Sequence, residues 1–184
     1  MSENEIVEIN GLDQALEIHF GIKKCSVKEL SRKDFRDLMM VIQEKIDHIP
    51  GSVQGDELNK ALPVKHSFAP GIYVREMPIP KGIIIMGKIH KHIHPTFLIV
   101  GEAVVRTEFD GDVLLKAPFS TISQAGTKRL IFTLTDTVWI TVHSNPGNNK
   151  NIDELEAMIT AASFDEYDEF KKQEAEMMSA KAVA

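Results

Sequence analysis

The sequence predicts a mainly β protein, a small closed barrel or double-sheet jelly roll with helical segments before and after it. Three observations carry this. From Gly71 to His143, short β-branched or aromatic runs are separated by Gly, Pro and Asp about every ten residues. On both sides of that stretch the apolar period changes from about 2 to about 3.6. The chain of 184 residues, 43% hydrophobic, is long enough for one sizeable core and short for two full domains.

Residues 1–65 read as an N-terminal segment with one amphipathic helix. Phe35, Leu38, Met39, Ile42 and Ile46 recur three or four apart, giving one apolar face across Ser31 to Asp47. Ser31 with Asp34, or Ser26 with Glu29, marks its start. Ile49-Pro50-Gly51 ends it, since a residue before proline avoids α geometry. Residues 51–59 then read as loop, and the first thirty residues carry no strong period.

Residues 66–146 hold the β region. The expected strands are Ile72–Met77, Ile83–His90, Thr96–Val100, Glu102–Phe109, Val113–Lys116, Thr121–Gln124, Arg129–Leu134 and Thr137–His143. Phe109-Asp110-Gly111-Asp112 and Leu134-Thr135-Asp136-Thr137 read as hairpin turns. Eight short antiparallel strands suit a barrel or jelly roll, which also limits exposed edges. Residues 147–184 follow a turn-forming cluster and read as two helices, near Ile152–Ala161 and Phe164–Met178, with Asn151/Glu154 and Ser163/Glu166 at their starts.

Composition narrows the function. A net charge of −6 and a pI near 5.6 argue against nucleic-acid binding, which needs clustered Lys and Arg. No long apolar run suggests a membrane span, and the start Met-Ser-Glu-Asn-Glu lacks a secretory pattern, so a cytoplasmic protein is expected. The single Cys25 reads as a structural thiol. No Ser-His-Asp, phosphate-loop or Cys-x-x-Cys pattern is present.

The most informative stretch is Gly87-Lys-Ile-His90-Lys-His92-Ile-His94-Pro95-Thr-Phe-Leu-Ile-Val-Gly101-Glu102, with three of the seven histidines inside five residues. Alternate residues of a strand share a face, so His90, His92 and His94 would point one way. Yet alternate side chains stand about 6.6 Å apart, too far for a straight strand to wrap one ion. A bend at Pro95 would let His90 and His94 converge.

This stretch resembles the first motif of the cupin superfamily, Gly-x5-His-x-His-x3,4-Glu-x6-Gly. Anchored on Gly101, His94 takes the Glu position, His90 the second His and Lys88 the first. Anchored instead on His90 and His92, Thr96 or Phe97 falls at the Glu. Ser123-Gln-Ala-Gly126-Thr-Lys-Arg129-Leu-Ile-Phe-Thr133 is similar to the second motif, with Arg129 at the metal-binding His. The span Gly71–Ser144 also resembles small cupin-like proteins of tailed phages.

The resemblance implies a cupin-type double-stranded β-helix and a divalent metal (Zn, Mn, Ni or Fe) on His90 and His94 with His92 or His143. A hairpin about Asp136 would set His143 opposite Arg129. Arg129, pointing inward, would bind a small anionic ligand or pair with Glu102. Two functions remain open: a cupin binding a small ligand, through metal-assisted chemistry or not, and a non-catalytic interaction or assembly module, including one in a phage particle. The histidine cluster favours the first; the missing Glu and second-motif His favour the second. A homodimer is expected in either case.

Overall fold

The structure is a computed structural model that describes residues 12–18, 21, 27–53 and 55–183. Cys25 and Ser26 lie outside the described residues. Helix α1 covers residues 12–18, α2 Arg32–Asp47 and α3 Gly55–Ala61. Eleven strands follow or intervene: β1 Lys65–Ala69, β2 Gly71–Ile79, β3 Ile84–Met86, β4 Ile89–His90, β5 His94–Val100, β6 Glu102–Thr107, β7 Gly111–Lys116, β8 Phe119–Ser123, β9 Leu130–Thr133, β10 Thr137–Asn145 and, between helices α4 (Ile152–Ile159) and α5 (Phe164–Val183), β11 Thr160–Ala161.

The strands form a five-stranded sheet in the order β1-β2-β10-β5-β8, a four-stranded sheet in the order β3-β9-β6-β7 and a β4–β11 pair, every pairing antiparallel. The two larger sheets face one another. Ile79, Leu98 and Trp139 from one pack against Ala103, Val105 and Ile131 from the other, with Leu58 and Leu62 of the α3 region closing the same cluster. Two antiparallel sheets packed face to face in this interleaved order make a jelly roll, the cupin-type double-stranded β-helix.

The four-stranded sheet is buried on both faces, which explains why every residue of β6 from Ala103 to Thr107 is buried. Its outer residues Val104 and Leu130 meet Leu12 and Leu16 of α1 and Phe35, Met39 and Ile42 of α2. Each large side chain so buried stabilises by roughly 1.5–3 kcal/mol. Ser31 caps α2, its Oγ accepting the Asp34 amide at 3.2 Å, and so settles the choice between the two starts. Arg106 on β6 anchors α1 from below: its Nη2 donates to Asp13 at 2.7 Å, and its Nε and Nη2 grip both oxygens of Asp112 at 2.7 and 2.8 Å.

Several expectations need correction. Residues 55–61 are helical rather than loop, and α1 stands inside the stretch without a visible period; Leu12 and Leu16, four apart, are its only sequence signal. The expected strand Ile83–His90 is broken at Gly87-Lys88 into β3 and β4. Lys65–Ala69 adds a strand, paired in register with β2. The Phe109–Asp112 turn does close the β6–β7 hairpin, Thr107 opposite Gly111, whose φ is +69°. The second expected hairpin does not exist. At Asp136 the chain crosses from β9 in one sheet to β10 in the other, so Arg129 and His143 are not cross-strand partners.

Gly101 makes that crossover compact. Its φ is +83°, and a Cβ there would lie 2.1 Å from the Asp136 carbonyl oxygen. Only glycine fits both conditions.

Candidate metal and ligand site

Three imidazoles meet at one end of the space between the sheets. The ring centroids of His90 and His94 are 4.1 Å apart, those of His94 and His143 4.7 Å and those of His90 and His143 5.4 Å. One nitrogen from each lies within 4.8 Å of the other two.

Each histidine arrives on a different element. His94 opens β5, directly across from Ser123 of β8, and its side chain is buried. His143 lies on the inward face of β10; Thr141, two residues before it, is registered with Thr96, two residues after His94. The shared period of two therefore brings His143 beside His94. His90 sits on β4, which the chain redirects before β5 begins. The bend that lets His90 and His94 converge lies at residues 91–93, whereas Pro95 is inside β5 opposite Ile122.

The C-terminal segment holds His90 in place. Thr160 of β11 is its strand partner, the Lys91 amide donates to Ile159 at 2.9 Å, and the His90 carbonyl accepts from Gly126 at 2.8 Å. The two lysines near His90 are compensated. Lys88 pairs with Glu156 at 2.7 Å; Lys91 donates to the Ala157 carbonyl at 2.8 Å and pairs with Glu166 at 3.1 Å.

All three rings are neutral near pH 7. Burial, then the neighbouring His94 and the Arg75 guanidinium, push His143 down to about 3. Burial takes His94 to about 4 despite its hydrogen bond to the His92 carbonyl, and drives His90 well below its ordinary value. Neutral imidazole is the form that ligates metal. His90 Nδ1 and His94 Nε2 are moreover buried without a partner, a state that costs stability unless something fills it. The three histidines are therefore capable of coordinating a metal ion, for which neutral imidazole is a favoured ligand.

Opening from the cluster is a cavity of about 390 Å3 whose wall includes His90, Arg75, Arg129, Trp139, Met77 and Ile131. Arg129 Nη2 donates to the Ser123 hydroxyl, which is 2.6 Å from Thr96 Oγ1. Burial lowers its guanidinium to about 10. Helix α4 closes the far side, Glu156 pairing with Arg75 at 3.1 Å as well as with Lys88.

Two residues singled out by sequence stand elsewhere. His92 is exposed, its ring edge-on to Phe170 of α5 at 5.3 Å. Glu102 pairs with Lys116 at 3.2 Å on β6–β7, and Ser123 takes its expected place beside Arg129. Sequence reasoning missed Arg75, Glu156 and Thr160. Arg75 carried a weak signal, a charge at an inward position of β2; Glu156 and Thr160 carried none.

No protein-family model matches the chain, and no curated protein matches it in sequence. Solved structures similar to it include an RmlC-like cupin family protein with a double-stranded β-helix fold from Methanocaldococcus jannaschii, at 13% identity and a TM-score of 0.39 over 53% of this chain and 86% of that one. A conserved protein with a double-stranded β-helix domain from Klebsiella pneumoniae is similar at 16% identity and a TM-score of 0.41, over 56% and 90% of the two chains. A cupin-2 domain-containing protein from Shewanella frigidimarina is similar at 6% identity and a TM-score of 0.37, over 45% and 79%. The fold assignment itself rests on the strand order and register described above.

Proposed function

We propose that this protein is a small-molecule-binding jelly roll that holds one divalent metal ion, Zn, Mn, Ni or Fe, on His90, His94 and His143, with its ligand entering the adjoining cavity. The observation that carries the reading is the pair of buried, unpartnered nitrogens, His90 Nδ1 and His94 Nε2, within a ring of three neutral imidazoles. Three protein ligands leave coordination positions open, the pattern of catalytic rather than purely structural sites. When bound, such an ion would supply Lewis-acid chemistry for isomerisation or hydrolysis of the ligand, or, for Fe or another redox-active metal and O2, oxygenation.

The test uses the full chain, stripped of metal, loaded separately with each of the four ions and freed of excess. One equivalent should remain for at least one metal. Replacing His90, His94 or His143 with Ala should abolish it. Retention well under one equivalent by the wild-type protein would overturn the reading and leave the non-catalytic interaction or assembly module, in a phage particle or elsewhere, as the better account.

A further inference from the structure

The cavity beside the histidines has a divided wall. Of its three cations, Arg75 and Lys88 share the Glu156 carboxylate. Arg129 has no carboxylate; among the described residues its hydrogen-bond partner is the Ser123 hydroxyl alone. The planar fork thus keeps most of its donors for something inside the cavity, and an exposed pair of parallel N–H groups matches a carboxylate. The same cavity has an apolar surface from Met77, Ile85, Ile131 and Trp139, with the Trp139 Nε1 buried and unpartnered. A cavity of about 390 Å3 is at the small end of ligand sites.

We infer that the ligand is a small amphipathic monocarboxylate of about the size of benzoate, its carboxylate gripped by Arg129 and its apolar body against Trp139, Met77 and Ile131. This rests on reading the cavity as the ligand site but not on the metal. The charges disfavour a strongly cationic ligand: the wall carries Arg75, Lys88 and Arg129 against two carboxylates, Asp153 and Glu156, and Glu156 is already engaged twice. The apolar wall disfavours inorganic phosphate, which would leave Met77 and Ile131 facing water.

Trp139 is the single tryptophan of the chain, so its fluorescence reports directly on the cavity. Metal-free and Zn-loaded full-length protein would be titrated with benzoate, benzamide, acetate and inorganic phosphate. Benzoate should give a saturable change in both forms, with benzamide weaker by about 10- to 100-fold for want of the charge and acetate weaker by about tenfold or more for want of the ring. Arg129→Gln should weaken benzoate by about 10- to 100-fold while its circular dichroism matches wild type. Should that variant not fold, Arg129→Lys keeps the charge and loses the fork, and a weakening of about tenfold is expected.

Benzamide binding as tightly as benzoate, phosphate binding more tightly, absence of saturable benzoate binding, or folded Arg129 variants that bind like wild type would each overturn the inference. Metal equivalents counted on the same samples separate this outcome from failure of the metal site.

Discussion

The Nδ1 of His94 lies 3.0 Å from the backbone carbonyl oxygen of His92. A carbonyl only accepts, so His94 Nδ1 carries the proton and Nε2 presents its lone pair to the His90–His143 side. The contribution of residue 92 is thus its backbone, and its ring is spent on Phe170. His92→Ala should therefore retain the metal equivalent that His94→Ala loses. Elemental analysis of tag-free protein checks this, and a His92→Ala protein devoid of metal alongside a loaded wild type would count against the assignment.

Acid should destabilise the metal-free protein in a defined window. An unfolded histidine titrates near 6.5, whereas His94 and His143 in the fold sit at about 4 and about 3. Below about pH 6.5 the unfolded chain binds protons that the folded chain does not, so stability falls as pH drops and the loss is complete only below the folded values. His94 alone contributes a loss on the order of 3 kcal/mol by about pH 4. Urea midpoints measured from about pH 7.5 to about pH 4.5 should decline, and His143→Leu should decline less. A flat profile in wild type would contradict the buried neutral state.

What the sequence made legible follows from locality. Strand positions from Thr96 to His143 were readable because alternation and the Asp110-Gly111 turn are local signals. His90 and His94 were readable because one glycine, Gly101, set their register. His143 entered the reading through a supposed hairpin, and it reaches the cluster by another route, the β5–β10 pairing, which depends on a crossover that no local pattern announces. The positions of His92 and Glu102 were not legible locally: a period of two groups His92 with its neighbours until the chain bends at residues 91–93, and Glu102 is chemically apt for Arg129 but lies beside Lys116. The helices α1 and α3 are too short to show a period, and packing alone selects them.

Gly101→Ala should be strongly destabilising. The substitution adds the cost of a positive φ, roughly 1–2 kcal/mol, to a contact with the Asp136 carbonyl that neither backbone can relieve without shifting the β9–β10 crossover. A loss of at least about 2 kcal/mol is expected in urea denaturation. Gly147→Ala, where an added Cβ meets nothing within 4 Å, is the control and should lie within about 0.5 kcal/mol of wild type.

If the expected homodimer forms, the outer face of the five-stranded sheet is the surface predicted to carry it. Helices α1 and α2 cover the outer face of the other sheet, whereas here Ile72, Ile99 and Ile122 are 41%, 46% and 54% exposed, and Phe97 stands beside Ile140 in register. An uncharged centre is matched best by an equally apolar surface, and a second copy supplies one about a two-fold axis. Light scattering at micromolar concentration should give twice the 20.6 kDa chain mass, and Ile99→Lys with Ile122→Lys should return the monomer. A monomeric wild type would refute it.

Among the described residues, Arg106 should prove the least replaceable charge. Its guanidinium is 1% exposed, and it holds Asp112 through both carboxylate oxygens and Asp13 through one. Removing it takes the guanidinium away from Asp112 and Asp13 at a buried junction between α1 and the β6–β7 hairpin. Breaking a buried pair in this way typically costs about 3–5 kcal/mol, because the remaining charge keeps its desolvation penalty and loses its partner. Replacing all members with apolar residues removes the penalty along with the attraction, so the two experiments differ in sign of argument. Arg106→Met should lose about 3–5 kcal/mol in urea denaturation at neutral pH, and most of that loss should disappear in the triple variant Asp13→Leu, Arg106→Met, Asp112→Leu. Acid should also rescue the single variant in part, since protonating a carboxylate that has lost Arg106 relieves its charge. A single variant as stable as wild type would show that the network contributes no net stability, and a triple variant less stable than the single one would show that charge compensation is not what it contributes.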